Sequence, residues 1–300
     1  MPSRRRILLL ALGAALAEPC RAIIGGSEDG TPPDSPANRV DPNTTTSPWA
    51  GVGSLSVVIG ALRERAGTYT ATALDARHVI TAAHVVAGRD AAEVRFNLNY
   101  GEDLSHRIDA AAITVHPDYA GHKPDARSGI VHDDLAIVRL GESLPFGVPF
   151  YTIRRTPVRP RTVITLVGYG ASGDGVHGRS VPASPSVKRV GRNVIDAGFR
   201  DSDGGEEPEV YLFDFDGPDA SANRLGGGSL GNHIEATVAG GDSGSPALVR
   251  AARGRWQLVG VNTFVAPRSA LNQRFGGFGG GVLLYPYVDW VNSVLAGTAG

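Results

Sequence analysis

From Trp49 onward the chain alternates short apolar, β-branched runs with clusters of turn residues. Val52 to Ile59, Tyr69 to Leu74 and His78 to Thr81 read as strands, and Glu93 to Leu98, Ile113 to His116 and Leu135 to Leu140 continue the series. Strands broken at short intervals by turn residues are the pattern of an all-β barrel or sandwich. Residues 141–162 carry four prolines and lead into a second series. It comprises Thr162 to Tyr169, Val187 to Ile195, Glu209 to Phe215, Ser245 to Val249, Trp256 to Phe264 and Gly281 to Tyr285. Tyr287 to Leu295 predicts a terminal helix, with Val288, Val291 and Leu295 on one face. No internal repeat relates the two halves.

Two stretches break this rhythm. Residues 27–48, rich in Pro, Asp, Ser, Thr and Asn, read as an extended strap over the surface. Between Asp201 and Asp219 stand eight acidic residues and no basic one, followed by Gly226-Gly227-Gly228 and Gly231. Residues 200–233 therefore read as a solvated insertion. The sharper alternative is a structural calcium site at Asp214, Asp216 and Asp219, since hard cations take several oxygen ligands. The spacing is not that of an EF-hand loop.

Composition narrows the class. The 300 residues are 42% hydrophobic, enough for a sizeable core, and the 40 glycines and 20 prolines favour turns over long helices. Arg4, Arg5 and Arg6 followed by the 11 apolar residues Ile7 to Ala17 predict a secretory signal, too short to span a bilayer. The single cysteine, Cys20, adjoins it, so the mature protein is expected to lack disulfides. The formal charge of −1 becomes about −4 once residues 1–22, with four arginines and one glutamate, are removed. Nothing in that balance supports nucleic-acid binding. No histidine pair has zinc-protease spacing.

Three local motifs carry chemistry: Thr81-Ala82-Ala83-His84, His132-Asp133-Asp134-Leu135-Ala136-Ile137, and Gly241-Asp242-Ser243-Gly244-Ser245-Pro246. A serine hydroxyl is a weak nucleophile that needs a base, and the base needs an orienting group. Taken together, the three motifs resemble the trypsin and chymotrypsin family of serine peptidases, and the resemblance covers nearly all of the chain after residue 22. The order His, Asp, Ser matches that family and not subtilisin-like or α/β-hydrolase orders. Between Asp133 and Asp134, the apolar residues that follow favour Asp134. The local sequence from Asp214 to Gly244 looks more like a bacterial secreted branch than the animal enzymes.

The resemblance implies two packed six-stranded antiparallel β-barrels with a C-terminal helix. The division expected is a signal at 1–22, the strap at 23–48, a first barrel at 49–155 and a second at 156–300. It implies His84 as base, Asp134 as its orienter and Ser243 as nucleophile, with the N–H groups of Gly241 and Ser243 as oxyanion hole. It places Thr237 at the base of the specificity pocket, with Thr263, Val265 and Gly281 on its walls. Thr237 is not acidic, so an uncharged residue is expected before the scissile bond. Ile23-Ile24-Gly25-Gly26 resembles the new N-terminus of an activated zymogen, whose amine pairs with the aspartate before the nucleophile, here Asp242. Cleavage after Ala22 frees Ile23 directly; cleavage after Ala17 leaves a five-residue propeptide. The expected protein is a secreted, monomeric endopeptidase acting on polypeptides, with no required cofactor and no membrane association after signal removal. A catalytically inactive homologue acting as a binding protein, and a general esterase, are the alternatives.

Overall fold

The computed structural model describes residues 23–59, 65–121, 123, 130–200, 207–266 and 273–298. The signal segment with Cys20, and Asp201 to Glu206 of the acidic stretch, lie outside the described residues.

Strands β1 (Val52–Ile59), β2 (Arg65–Ala73), β3 (His78–Thr81), β4 (Val94–Leu98), β5 (His106–Val115) and β6 (Ala136–Leu140) form a closed barrel in the order β1-β2-β3-β6-β5-β4. Leu55, Val57, Phe96, Leu98 and Val138 share its inner face and are buried there. A single helical turn, α1 (Ala83–Val86), follows β3. After a long connection come β7 (Thr152–Ile153), β8 (Val163–Gly168), β9 (Ser172–Asp174), β10 (Gly178–Val181), β11 (Arg189–Val194) and β12 (Ala197–Phe199). Then follow β13 (Val210–Asp214), β14 (Pro246–Arg250), β15 (Trp256–Ala266), β16 (Phe278–Leu283) and the terminal helix α2 (Val288–Leu295). No helix among the described residues is long and apolar enough to cross a membrane.

The second sheet differs in detail from a closed six-stranded barrel. It is a curled, eight-stranded sheet ordered β11-β8-β14-β15-β16-β13-β12, with β7 pairing in parallel along β15. It stays open because the outer edge of β11 is already occupied. Arg192 bridges Glu235, and Ala236 N–H donates to Arg192 O at 2.8 Å. Within the acidic stretch, the strand expected over Glu209 to Phe215 forms as β13. Val210, Tyr211, Leu212 and Phe213 in β13 are fully buried between two sheet neighbours, which explains an apolar run inside so acidic a segment.

The strap is pinned by charge. Arg39 pairs with buried Asp34 and donates to Ile234 O at 2.9 Å. Val40 bridges Arg189, and Lys188, completely buried, donates to Trp49 O at 2.9 Å with Asp41 at 3.5 Å. Burial pulls the Lys188 ammonium down to about 8. Trp49, just before β1, meets Trp256, at the start of β15, with ring centroids 4.5 Å apart. The two sheets touch there and along the cleft between them.

Candidate active site

Each sheet supplies part of the constellation. In α1, Ala83, Val85 and Val86 are buried and anchor the turn, so His84 is the residue that faces outward. Asp134 lies just ahead of β6. Asp133 takes a left-handed φ of 57°, and the chain kinks there so that Asp134 turns inward. Ser243 comes from the second sheet, in the tight loop before β14, where Gly241 has φ 102° and Gly244 φ 87°. These angles are open to glycine and strained for other residues.

His84 Nδ1 lies 2.6 Å from Asp134 Oδ2, and His84 Nε2 lies 2.8 Å from Ser243 Oγ. The His84 backbone N–H donates to Asp134 Oδ1 at 2.8 Å, so both carboxylate oxygens hold the same residue. Asp134 is 2% exposed, and a buried carboxylate needs such bonds to remain charged. An anion at Nδ1 fixes the proton there, leaving the Nε2 lone pair to accept from the Ser243 hydroxyl. Asp133 serves elsewhere. It accepts from the Tyr287 hydroxyl at 2.9 Å and lies 3.5 Å from His116 Nδ1.

The trypsin family model matches residues 53–291. This chain belongs to the trypsin family. Trypsin iota of Drosophila melanogaster is 26% identical over 262 residues, 85% of this chain and 82% of that protein. Transmembrane protease serine 11G of Rattus norvegicus is 27% identical over 173 residues, 56% of this chain. The match spans only 35% of that longer rat protein. Trypsin-family membership and the His84–Asp134–Ser243 geometry together make this a serine hydrolase.

A tight recess lies beside Ser243, lined by Val238, Ala239, Asp242, Asn262, Thr263, Phe264 and Val265. Thr263 and Val265 are thus brought to the nucleophile, and Thr237 and Gly281 are not on that lining. Thr237 exchanges both backbone hydrogen bonds with Ile24. Gly281 pairs with Asn262 so closely that a Cβ would lie 1.9 Å from Val261 O. The ring of Phe264 fills the space above Gly280 and narrows the cleft.

Thr70, on β2, carries no sequence signal and yet clamps the nucleophile loop. Its N–H donates to Ser243 O at 3.1 Å, and its hydroxyl donates to Gly241 O at 3.0 Å. The same hydroxyl accepts from Tyr169 N–H at 3.1 Å. The partners lie about 100 to 170 residues away in sequence, which hides them from any local motif.

The expected calcium ligands are not gathered. Asp214 Oδ2 is taken by the N–H groups of Arg224 and Leu225 at 2.5 and 2.7 Å. Exposed Asp219 caps a 3₁₀ turn through Ser221 N–H at 2.8 Å. Among the described residues, His116, Asp118 and Asp133 bring ligand atoms within 4.8 Å of one another. Burial holds the His116 imidazole below its ordinary range, so it presents a neutral donor nitrogen.

Proposed function

We propose that this protein is a secreted serine endopeptidase that cleaves polypeptides through an acyl-enzyme. The observation that carries it is the unbroken Asp134–His84–Ser243 chain, with contacts of 2.6 and 2.8 Å. His84 Nε2 takes the Ser243 proton as Oγ attacks the scissile carbonyl, and returns it to the leaving amine. Asp134 keeps the tautomer and stabilises the imidazolium. The N–H groups of Gly241 and Ser243 receive the developing oxyanion. Water then repeats the sequence on the acyl-enzyme.

The narrow cleft with Val238, Ala239, Thr263, Phe264 and Val265 favours a small, uncharged side chain before the scissile bond. Thr237, Thr263, Val265 and Gly281 are proposed to shape the specificity pocket, with Val238 and Ala239 beside them. Chemistry needs no cofactor, and the protein acts as a monomer. A structural divalent cation belongs at His116, Asp118 and Asp133 rather than in the acidic stretch. The imidazole nitrogen makes that set better suited to zinc than to calcium. Secretion rests on Arg4 to Arg6 and the apolar run Ile7 to Ala17. Placement in a bacterial branch rests on the divergent segment Asp214 to Gly244 alone.

Processing that frees Ile23 gives its amine a route to Asp242. Ile23 is fully buried, its neighbour Ile24 pairs with Thr237, and Asp242 lies five residues further on. Intact mass of the secreted protein reads the start site, with Ile23 expected. A phosphonylating serine reagent should label Ser243, and a peptide library should show endopeptidase cuts after small uncharged residues. Absence of labelling would leave a binding protein; labelling with ester but no peptide turnover would leave an esterase.

A further inference from the structure

Charge is segregated along this chain. Residues 143–173 and 243–288 together carry nine arginines, with no lysine and no acid. The whole chain has 29 basic and 30 acidic residues, so positive charge is concentrated in these two parts. They supply β7, β8, β14 and β15, which the fold lays side by side.

The pairing gathers the arginines at one end of that sheet. Ala247 and Leu248 of β14 pair with Leu166 and Thr165 of β8. That register carries Arg250 level with Val163, two residues after Arg161. Arg250 pairs with Trp256 of β15, and Ala251 N–H donates to Arg255 O at 2.7 Å, so Arg250 and Arg255 flank the hairpin turn. Neighbouring strands lie about 4.8 Å apart, so the strand ends at Arg161, Arg250 and Arg255 span about 10 Å. On the far side of β15, Arg154 N–H donates to Leu258 O at 2.9 Å, and Arg155 follows. Arg155, Arg159, Arg161, Arg250 and Arg255 are exposed, and Arg154 is half-buried. Among the described residues none of these six has a carboxylate within ion-pairing distance, whereas exposed Arg95 is paired with Asp109.

The backbone holds these cations in place despite their mutual repulsion. Pro157 and Pro160 fix φ in the connector, and Arg159 O accepts from the Thr162 N–H at 3.2 Å and from its hydroxyl at 2.7 Å. Arg161 N–H donates to Ile195 O at 2.6 Å. Asp196, the next residue, accepts instead from Asp214 N–H at 3.2 Å. A patch ordered in advance costs less to bind through.

We propose that this sheet end is an exosite for an anionic polysaccharide, with Arg161, Arg250 and Arg255 at its centre and Arg154, Arg155 and Arg159 along its margin. All six cations are guanidinium groups, whose planar forks match the oxygens of sulfate and carboxylate. A repeating anion meets several forks at once, which a single small anion cannot do. No aromatic residue lies within 154–161 or 250–255 to stack on bases, as a single-stranded nucleic acid requires. Ser243 precedes β14 and Arg250 ends it, so a polymer bound here tethers the protein and leaves the recess open.

The full chain is titrated by calorimetry with dextran sulfate, carboxymethyl dextran and plain dextran, at low and at physiological salt. Hydrolysis of a short uncharged peptide is measured alongside. A charged dextran should bind and plain dextran should not, with affinity falling steeply as salt rises. The charged form that binds tighter identifies the acid group. The triple variant Arg161→Gln, Arg250→Gln, Arg255→Gln should bind at least about tenfold more weakly with kcat/KM unchanged, because three charge-assisted contacts are gone. Arg77→Gln, Arg95→Gln, Arg107→Gln removes equal charge from exposed positions of the first barrel and should change binding by less than about twofold. Melting temperatures check the fold of both variants. Failure of both charged dextrans to bind, equal losses in the two variants, or tighter binding to a DNA duplex or to phosphatidylglycerol vesicles overturns the exosite and spares the peptidase reading. Polymer binding without peptide hydrolysis supports the exosite and overturns the peptidase reading alone.

Discussion

At the scale of single residues, the two adjacent aspartates are separated by what they touch. Asp134 holds His84 through both oxygens, so Asp134→Asn should cut kcat by about 10⁴, the loss expected when the wrong tautomer faces the serine. Asp133→Asn keeps a residue that tolerates φ 57° and still accepts from Tyr287, so its kcat should fall by less than about tenfold. Steady-state kinetics on the two variants decides this, and the opposite ranking would reassign the triad. Ser243→Ala should abolish turnover with an unchanged melting temperature, and its loss should not add to that of His84→Ala. Thr70→Val deletes two buried side-chain bonds to the loop and to Tyr169. A loss of about 1–3 kcal/mol in a denaturant melt, with reduced kcat, is the expected result.

At the scale of elements, close backbone approach matters as much as side-chain identity. Gly168→Ala inserts a methyl where Asp242 Oδ1 now lies, and the carboxylate must move. Secondary structure should survive while Ser243 labelling slows by about 100-fold or more; a fully active Gly168→Ala would show that the loop does not depend on that carboxylate's position. The elements most readable in the sequence were those with a continuous apolar run. Val52–Ile59 and His78–Thr81 appear with the limits expected, and α2 begins one residue late. Strands β7, β9, β10 and β12 were not legible, because runs of two to four residues are too short to bear a periodic signal. They exist because a neighbouring strand offers an edge, as β9 and β10 do for each other. The triad was legible because each member sits in a local motif. Of the cleft lining, Thr263 and Val265 were legible from their place after the nucleophile, while Val238 and Ala239 were not, because small apolar residues carry no chemical signal of their own.

At the scale of the whole molecule, several buried acids give stability and activity opposite pH trends. Burial pushes Asp216 up to about 6 and Glu235 and Asp242 up to about 7, and raises Asp196 beside Asp214. These folded-state values exceed the ordinary carboxylate range, so between about pH 4 and about pH 7 the native state binds more protons than the unfolded one. Stability should therefore fall as pH rises through that window, giving a higher melting temperature near pH 5 than near pH 8. Activity should rise over the same interval as Asp242 ionises; parallel trends would contradict the assignment of these groups. The Trp49–Trp256 contact supplies an optical gauge for such melts. Two indoles with centroids 4.5 Å apart and planes tilted by 56° couple their excited states; Trp49 leads into the first barrel and Trp256 opens β15 of the second sheet. Their paired near-ultraviolet circular dichroism bands should vanish when the sheets part, even while each keeps its own strands, so the molecule carries its own label-free reporter of separation at the seam that joins its catalytic halves.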